Sequence, residues 1–474
     1  MSFIFDVIFV FFSLAYLPYL LMTGRYHRDI WQRCGFYPAD VIKRLSGKKV
    51  IWVHAVSVGE VMAARTLIET LISRYPDKKI AVSTITKTGN DAAKRLFGNT
   101  AAVIYLPVDI SFVVRRVLGR VSPELFIIIE TELWPNLITA LSGMDIPVIV
   151  ANGRISPKSF RRYMQIRPVF KSVLGKVTFF LMQSDDHAQR IISMGALPER
   201  VAVTGNMKFD SAARSYASET LDTDALRGDL CLSPEEPLLI AGSTHKPEEG
   251  IVLNVYRELL KSSPHLRLLL APRHIERASE IETLVRKYGF GAKRISNIMK
   301  DEGTVERRAL SVERKEDGTP YALHPTPYGT PVLILDIMGR LSQLYSLGTV
   351  VFMGGSLMKK GGQNILEPAI FSRPIVFGPH MFNFKDIAET FVKEQAAVLV
   401  KDEEGLFCQA SELLKDPGRR EEMGRRARML VDKNRGAADR TIDQIDRLLK
   451  TRIATTHDTR HTTQSHQVTR TPVL

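Results

Sequence analysis

Short, almost wholly apolar runs recur along this chain at close intervals, and they constrain its fold more than any other feature. Val50 to His54, Lys79 to Thr84, Ala102 to Pro107, Leu125 to Ile129, Pro147 to Ala151 and Val177 to Met182 are each of strand length. Helical patterns separate the earlier runs, at Val61 to about Leu71, Thr88 to Phe97 and about Ser111 to Leu118. The run Leu125-Phe126-Ile127-Ile128-Ile129 has no polar side, the pattern of a strand buried on both faces. Such strands alternating with helices imply a parallel sheet with right-handed crossovers.

The alternation lapses after Asp210 and restarts at Pro237 to Gly242, continuing through Arg267 to Ala271, Pro331 to Leu335, Val350 to Met353, Pro374 to Phe377 and Ala397 to Val400. A length of 474 residues agrees, being long enough for roughly two to four domains. The expected organisation is an N-terminal apolar segment at 1–24, a Rossmann-like domain at 35–210, a linker at 211–230, a second Rossmann-like domain at 231–450 and a disordered tail at 451–474. A charged stretch from Lys293 to Thr330 reads as a surface excursion. Two doubly wound domains predict a cleft enzyme, with ligands at strand C-termini.

The formal net charge of +14 favours an anionic partner: nucleic acid, an anionic membrane or a phosphorylated substrate. The three cysteines, Cys34, Cys231 and Cys408, have no metal-ligand spacing and read as buried, idle thiols in a reducing compartment. Ser2 to Met22 is apolar apart from Asp6, and about 20 such residues suffice to cross a bilayer. Arg25, His27, Arg28, Arg33, Lys43, Arg44, Lys48 and Lys49 follow, which places the remainder on the cytoplasmic side by the positive-inside rule. An uncleaved membrane anchor is the favoured expectation; a helix docked on the protein is the alternative that Asp6 and Pro18 keep open.

Glu60 lies in the turn Ser57-Val58-Gly59-Glu60 after the first apolar strand. Ser57 and Glu60 have capping-box spacing, and the same position suits a carboxylate that takes a proton from an acceptor hydroxyl. Glu130 ends the strand Leu125 to Ile129 and opens Glu130-Thr131-Glu132-Leu133-Trp134-Pro135-Asn136. A charge there must reach solvent, a partner or a ligand. Ile146 to Ser184 holds no Asp or Glu but carries Arg154, Lys158, Arg161 and Arg162 among aromatics, a surface for a phosphorylated lipid or an anionic bilayer. Nucleic acid is the weaker partner for this patch, given the hydrophobic N-terminus. Lys208, in Gly205-Asn206-Met207-Lys208-Phe209-Asp210, reads from sequence as an exposed hinge lysine, with charge stabilisation as the alternative.

In the second half Arg273 follows a strand in Ala271-Pro272-Arg273-His274 and is placed to grip a phosphate. Gly354-Gly355-Ser356 and Gly361-Gly362-Gln363-Asn364-Ile365-Leu366-Glu367-Pro368 suggest backbone N–H groups offered to an anion, with Asn364 as a helix cap and Glu367 accepting from ribose hydroxyls.

WVHAVSVGE, YLPVD, ETELWPN, ANGRIS, GNMKFD, APRH, DIMGRL, FMGGS, GGQNILEPA and GPHMFNF, in this order, resemble the 3-deoxy-D-manno-octulosonic acid (Kdo) transferases of lipopolysaccharide synthesis. The resemblance implies a GT-B fold and inverting transfer from CMP-Kdo to a phosphorylated lipid A precursor at the inner membrane, with no cofactor, no metal and no nucleic acid. It implies Glu60 as general base and Glu130 and Lys208 as transition-state stabilisers. It places CMP against Pro272, Arg273, Met338, Gly339, Arg340, Asn364, Ile365, Leu366 and Glu367. The chain departs from the family's usual pattern at Arg340, Gln363 and Ile365. The rival expectations are a GT-B enzyme with another nucleotide sugar and a membrane-tethered binding protein without activity.

Overall fold

The structure is a computed structural model that describes Asp6 and residues 29–47, 49–214, 221–301 and 331–465. The chain forms two compact units, Met1–Arg214 with Asn434–Leu474, and Ser215–Lys433.

The first unit is built on a parallel sheet of β1 (Val50–His54), β2 (Lys79–Thr84), β3 (Ala102–Tyr105), β4 (Pro123–Ile129), β5 (Val148–Gly153), β6 (Phe179–Met182) and β7 (Val201–Val203). Their order across the sheet is β3-β2-β1-β4-β5-β6-β7. Alternate residues of each strand enter different cores: Trp52, Phe126 and Ile128 join one, while Ile51, Val53, Ile127 and Ile149 join the other. Each large apolar side chain so buried contributes roughly 1.5–3 kcal/mol. Strand order reverses between β1 and β4, the topological switch point at which open α/β sheets bind ligands.

The second unit repeats the plan with β8 (Leu238–Thr244), β9 (Arg267–Pro272), β10 (Ala292–Arg294), β11 (Val332–Ile334), β12 (Val350–Met353), β13 (Ile375–Phe377) and β14 (Val398–Leu399). Here the order is β10-β11-β9-β8-β12-β13-β14, so the reversal falls between β8 and β12.

Several boundaries differ from expectation. The C-terminal helix Ala437–Ser465 belongs to the first unit, not the second, and runs past the expected start of the tail at 451. Its Ala437, Ile442, Ile445 and Leu449 complete one core of the first sheet. Its start is fixed by Asp210, whose carboxylate accepts the N–H groups of Gly436 at 2.6 Å and Ala438 at 2.7 Å. The expected linker is partly helical, at Met207–Arg214 and Thr223–Asp229. The charged stretch opens with the edge strand β10 and the helix Ile295–Asp301; residues 302–330 lie outside the described residues.

The proposed anchor at 1–24 lies outside the described residues except for Asp6. Among the described residues no helix is long and apolar enough to cross a membrane. The Asp6 carboxylate accepts the backbone N–H of Ser111 and the side-chain N–H of Asn136, both at 2.9 Å. At this one residue the side-chain charge is held by donors of the first unit. Arg33 also belongs to the folded body: its Nε–H donates to the Leu106 carbonyl at 3.2 Å. The cysteines are free, and Cys231 and Cys408 are exposed, contrary to the buried thiols expected.

Candidate active site

The switch point of the first sheet gathers acids. Ser57, with extended backbone, precedes the helix Val58–Ala63 and brings Glu60 into its first turn. Glu60 Oε2 accepts the Val56 N–H at 2.7 Å, and Oε1 accepts the Ser57 hydroxyl at 3.0 Å. The reciprocal bonds of a capping box are not made: the Ser57 side chain makes no cap bond, and the Glu60 carboxylate takes the N–H of Val56, one residue before the N-cap. A carboxylate offers about four lone pairs, so these bonds leave acceptor capacity on each oxygen. Burial, then the nearby Glu130 charge, raises the Glu60 carboxyl to about 7, against the opposing bonds from Val56 and Ser57. A group balanced near neutrality is suited to proton transfer. Bracing of the turn and proton transfer are thus compatible in one side chain.

Glu130 leaves β4 with φ of 61°, a left-handed conformation uncommon outside glycine. Its N–H still donates to the Ala151 carbonyl at 2.9 Å, so the backbone turns directly at the sheet end. Lys208 Nζ is 4.0 Å from Glu130 Oε1. The Lys208 helix is set by asparagines: Asn152 Oδ1 accepts the Met207 N–H and Asn206 Oδ1 accepts the Lys208 N–H, both at 3.0 Å. Asn152 itself has φ of 57°. Glu132 is raised above the usual carboxyl range by burial and then by Glu130. Glu60, Glu130 and Lys208 therefore come together, with Glu132 beside them.

Buried hydrogen bonds hold the segment that follows Glu132. Asp109 accepts the N–H groups of Asn136 at 3.0 Å and Leu137 at 2.8 Å, fixing the helix Pro135–Gly143 that follows Trp134. His54 is buried at the end of β1, with Nδ1 2.9 Å from Ser83 Oγ and its ring 6.3 Å from Trp134. Burial lowers its pKa to about 3, which keeps the ring neutral.

Lys158, Arg161 and Arg162 are exposed on the helix Pro157–Gln165, and Arg154 is half-buried just before it. The Arg154 N–H donates to Thr131 Oγ1 at 2.9 Å, so the basic surface begins against the loop that carries Glu130. Ile166 and Val169 are exposed beside it, giving a surface both basic and apolar.

In the second unit the expected donor residues sit on strand-end loops. Pro272 is buried at the end of β9, and Arg273 is exposed after it, its N–H bonded to the Thr244 carbonyl at 3.0 Å. Asn364 Nδ2 donates to Glu367 Oε1 at 3.2 Å, and Asn364 Oδ1 accepts the Leu366 N–H at 3.3 Å. Burial raises the Glu367 carboxyl, opposed by Asn364, Arg273 and a bond from Ser342. Ile365 and Leu366 are buried and support this loop. Met338, Gly339 and Arg340 are exposed just before the short helix Leu341–Leu344, which carries Ser342. Arg340 bonds Gln343 at 3.3 Å.

The Gly354-Gly355-Ser356 loop is not free for an anion, which corrects the sequence reading. Buried Glu248 accepts the N–H groups of Gly355, Ser356 and Leu357 at 2.7, 3.0 and 3.0 Å. Glu248 gave no such signal in sequence, where it reads as an ordinary first-turn acid of the helix Glu248–Leu260. Among the described residues no group of three or more His, Cys, Asp or Glu is arranged to hold a metal ion.

Comparison with known proteins agrees with the two-unit plan. Residues 28–211 match the family model for 3-deoxy-D-manno-octulosonic-acid transferase (kdotransferase). The chain is 34% identical over 423 residues to the 3-deoxy-D-manno-octulosonic acid transferase of Haemophilus influenzae, covering 89% of this chain and 91% of that one. It is 29% identical over 458 residues to the enzyme of that name from Chlamydophila psittaci, covering 94% and 96%. In fold it resembles the UDP-GlcNAc 2-epimerase of Neisseria meningitidis, with a TM-score of 0.56 and 12% identity over 84% of this chain and 100% of that one. The chain belongs to the 3-deoxy-D-manno-octulosonic acid transferase family of glycosyltransferases.

Proposed function

We propose that this enzyme moves Kdo from CMP-Kdo to a hydroxyl of a phosphorylated lipid A precursor, with inversion at the anomeric carbon. The observation that carries the proposal is the Glu60 carboxyl, raised to about 7 by burial and by Glu130 at the switch point of the first sheet. Such a group is ionised often enough near neutral pH to take the acceptor proton, and basic enough to keep it. The acceptor oxygen attacks the anomeric carbon as the bond to the CMP phosphate breaks. Lys208, beside Glu130, offsets negative charge that develops during attack. Arg273 meets the departing phosphate, and Glu367, braced by Asn364 and Ser342, accepts from ribose hydroxyls. In this proposal positive side chains compensate the leaving phosphate, and no cofactor takes part.

Lys158, Arg161 and Arg162 with exposed Ile166 and Val169 support an acceptor that is both anionic and lipidic, and action at the cytoplasmic face of the inner membrane. The test is mass spectrometry of the acceptor after incubation of the full chain with CMP-Kdo or with UDP-sugars. The acceptor gains Kdo from CMP-Kdo and gains nothing from UDP-sugars; transfer from a UDP-sugar with none from CMP-Kdo refutes the assignment.

A further inference from the structure

A second cationic site lies at the switch point of the second sheet, separate from the contacts assigned above. His245 follows β8, and Gly355 and Lys360 follow β12, the two strands between which the order reverses. A methyl group placed on Gly355 would stand 3.3 Å from His245 Cδ2, 3.5 Å from Gln363 Nε2 and 3.6 Å from Lys360 Cβ. Gly355 therefore forms a floor without a side chain, surrounded by an imidazole, an amide and a lysine stem. The His274 ring stands 5.8 Å from that of His245.

The floor is fixed by one buried carboxylate. Glu248 takes the His245 N–H at 2.9 Å together with the three N–H groups of the Gly355–Leu357 loop. Those donors are consumed, so a ligand anion here must be met by side chains. The neighbouring Glu249 is occupied as well, by Arg277 at 2.8 Å and the Thr244 hydroxyl at 3.1 Å. Burial first, then His274, Lys360 and Arg273, lowers the His245 pKa, which fits an imidazole set among positive charges with Glu249 opposing. A bound anion relieves that repulsion.

A nucleotide-activated sugar acid carries two anions, the phosphate and the carboxylate of the sugar. Resting on the function proposed above, we infer that His245 and Lys360, with Gln363 beside them, hold the carboxylate of the donated sugar, while Arg273 serves the phosphate. This pair then distinguishes an acidic sugar from a neutral one on the same nucleotide.

The test compares His245→Ala and Lys360→Ala with the unsubstituted enzyme, measuring KM for CMP-Kdo and inhibition by CMP, which has the phosphate but no sugar carboxylate. Both truncations keep the backbone N–H groups that Glu248 holds, and His245→Gln serves as a second variant that keeps a hydrogen-bonding side chain. The expected result is a rise in the CMP-Kdo KM of about tenfold or more for the alanine variants, the scale of a lost charge-assisted hydrogen bond, and a smaller rise for His245→Gln, with CMP inhibition changed by no more than about twofold. CMP inhibition that weakens in step with CMP-Kdo assigns the residues to the phosphate and overturns the proposal, as does no change in either. No turnover of CMP-Kdo by the unsubstituted enzyme overturns the reaction itself, and this subsite with it.

Discussion

Lys208 Nζ stands 4.0 Å from Glu130 Oε1, although one residue lies in the first turn of a helix and the other directly follows a strand. The contact exists because Asn152, at the end of the strand beside β4, holds the helix start that carries Lys208. Replacing Lys208 by Met removes the ammonium from the acid cluster. Steady-state kinetics should show kcat lowered by about 10²-fold, with the donor KM little changed, because the charge acts on the transition state.

The pH dependence follows from Glu60. Its carboxyl lies near 7 and acts as base only when ionised, so kcat/KM should rise with pH through about 7. Glu130 is the second largest cause of that elevation. Glu130→Gln should therefore move the rising limb to lower pH in a pH–rate profile, whatever its effect on the maximal rate.

Stability should oppose activity at the same residue. The folded protein raises the Glu60 carboxyl above its ordinary value of 4.5, so folding favours the protonated form. That contribution is fully present below the unfolded value and is lost as pH rises through about 7. Glu60→Gln should raise Tm at about pH 8 and leave it near wild type at about pH 4. Thermal melts at the two pH values check this.

Asp210, in the segment Gly205 to Asp210 that also carries Lys208, has a structural role. Its carboxylate holds the N–H groups of Gly436 and Ala438, which start the helix that closes one face of the first sheet. Asp210→Ala should cost about 1–3 kcal/mol, seen as a lower denaturant midpoint.

Arg273 should separate donor from acceptor. Arg273→Lys keeps the charge and loses the planar fork, so the donor KM should rise about tenfold while the acceptor KM stays level.

The strands were legible where both faces are buried, as in Leu125 to Ile129, because a doubly buried strand leaves no polar side. The edge strands Val201–Val203 and Ala292–Arg294 were not, since each is only three residues long and Lys293 and Arg294 read as surface. Nor was the ownership of the C-terminal helix, which depends on Asp210 meeting residues 226 and 228 positions away. At the site, Glu130 could be noticed as an acid directly after an apolar strand and Glu60 as an acid in the turn that follows another. The sequence favoured a hinge for Lys208, and its placement by Glu130 rests on Asn152, distant in sequence, holding the helix start together with Asn206. Asp6 was noticed as a lone acid in an apolar stretch, but its partners Ser111 and Asn136 are visible only in the folded chain.

The central claim is that Glu60 removes the acceptor proton, and the most direct measurement is the single-turnover rate of Kdo transfer from CMP-Kdo by the wild type and by Glu60→Gln, followed by product mass. The account predicts Kdo-bearing acceptor from the wild type and a rate at least about 10²-fold lower for the variant, with CMP binding retained. Transfer at the wild-type rate by Glu60→Gln contradicts it.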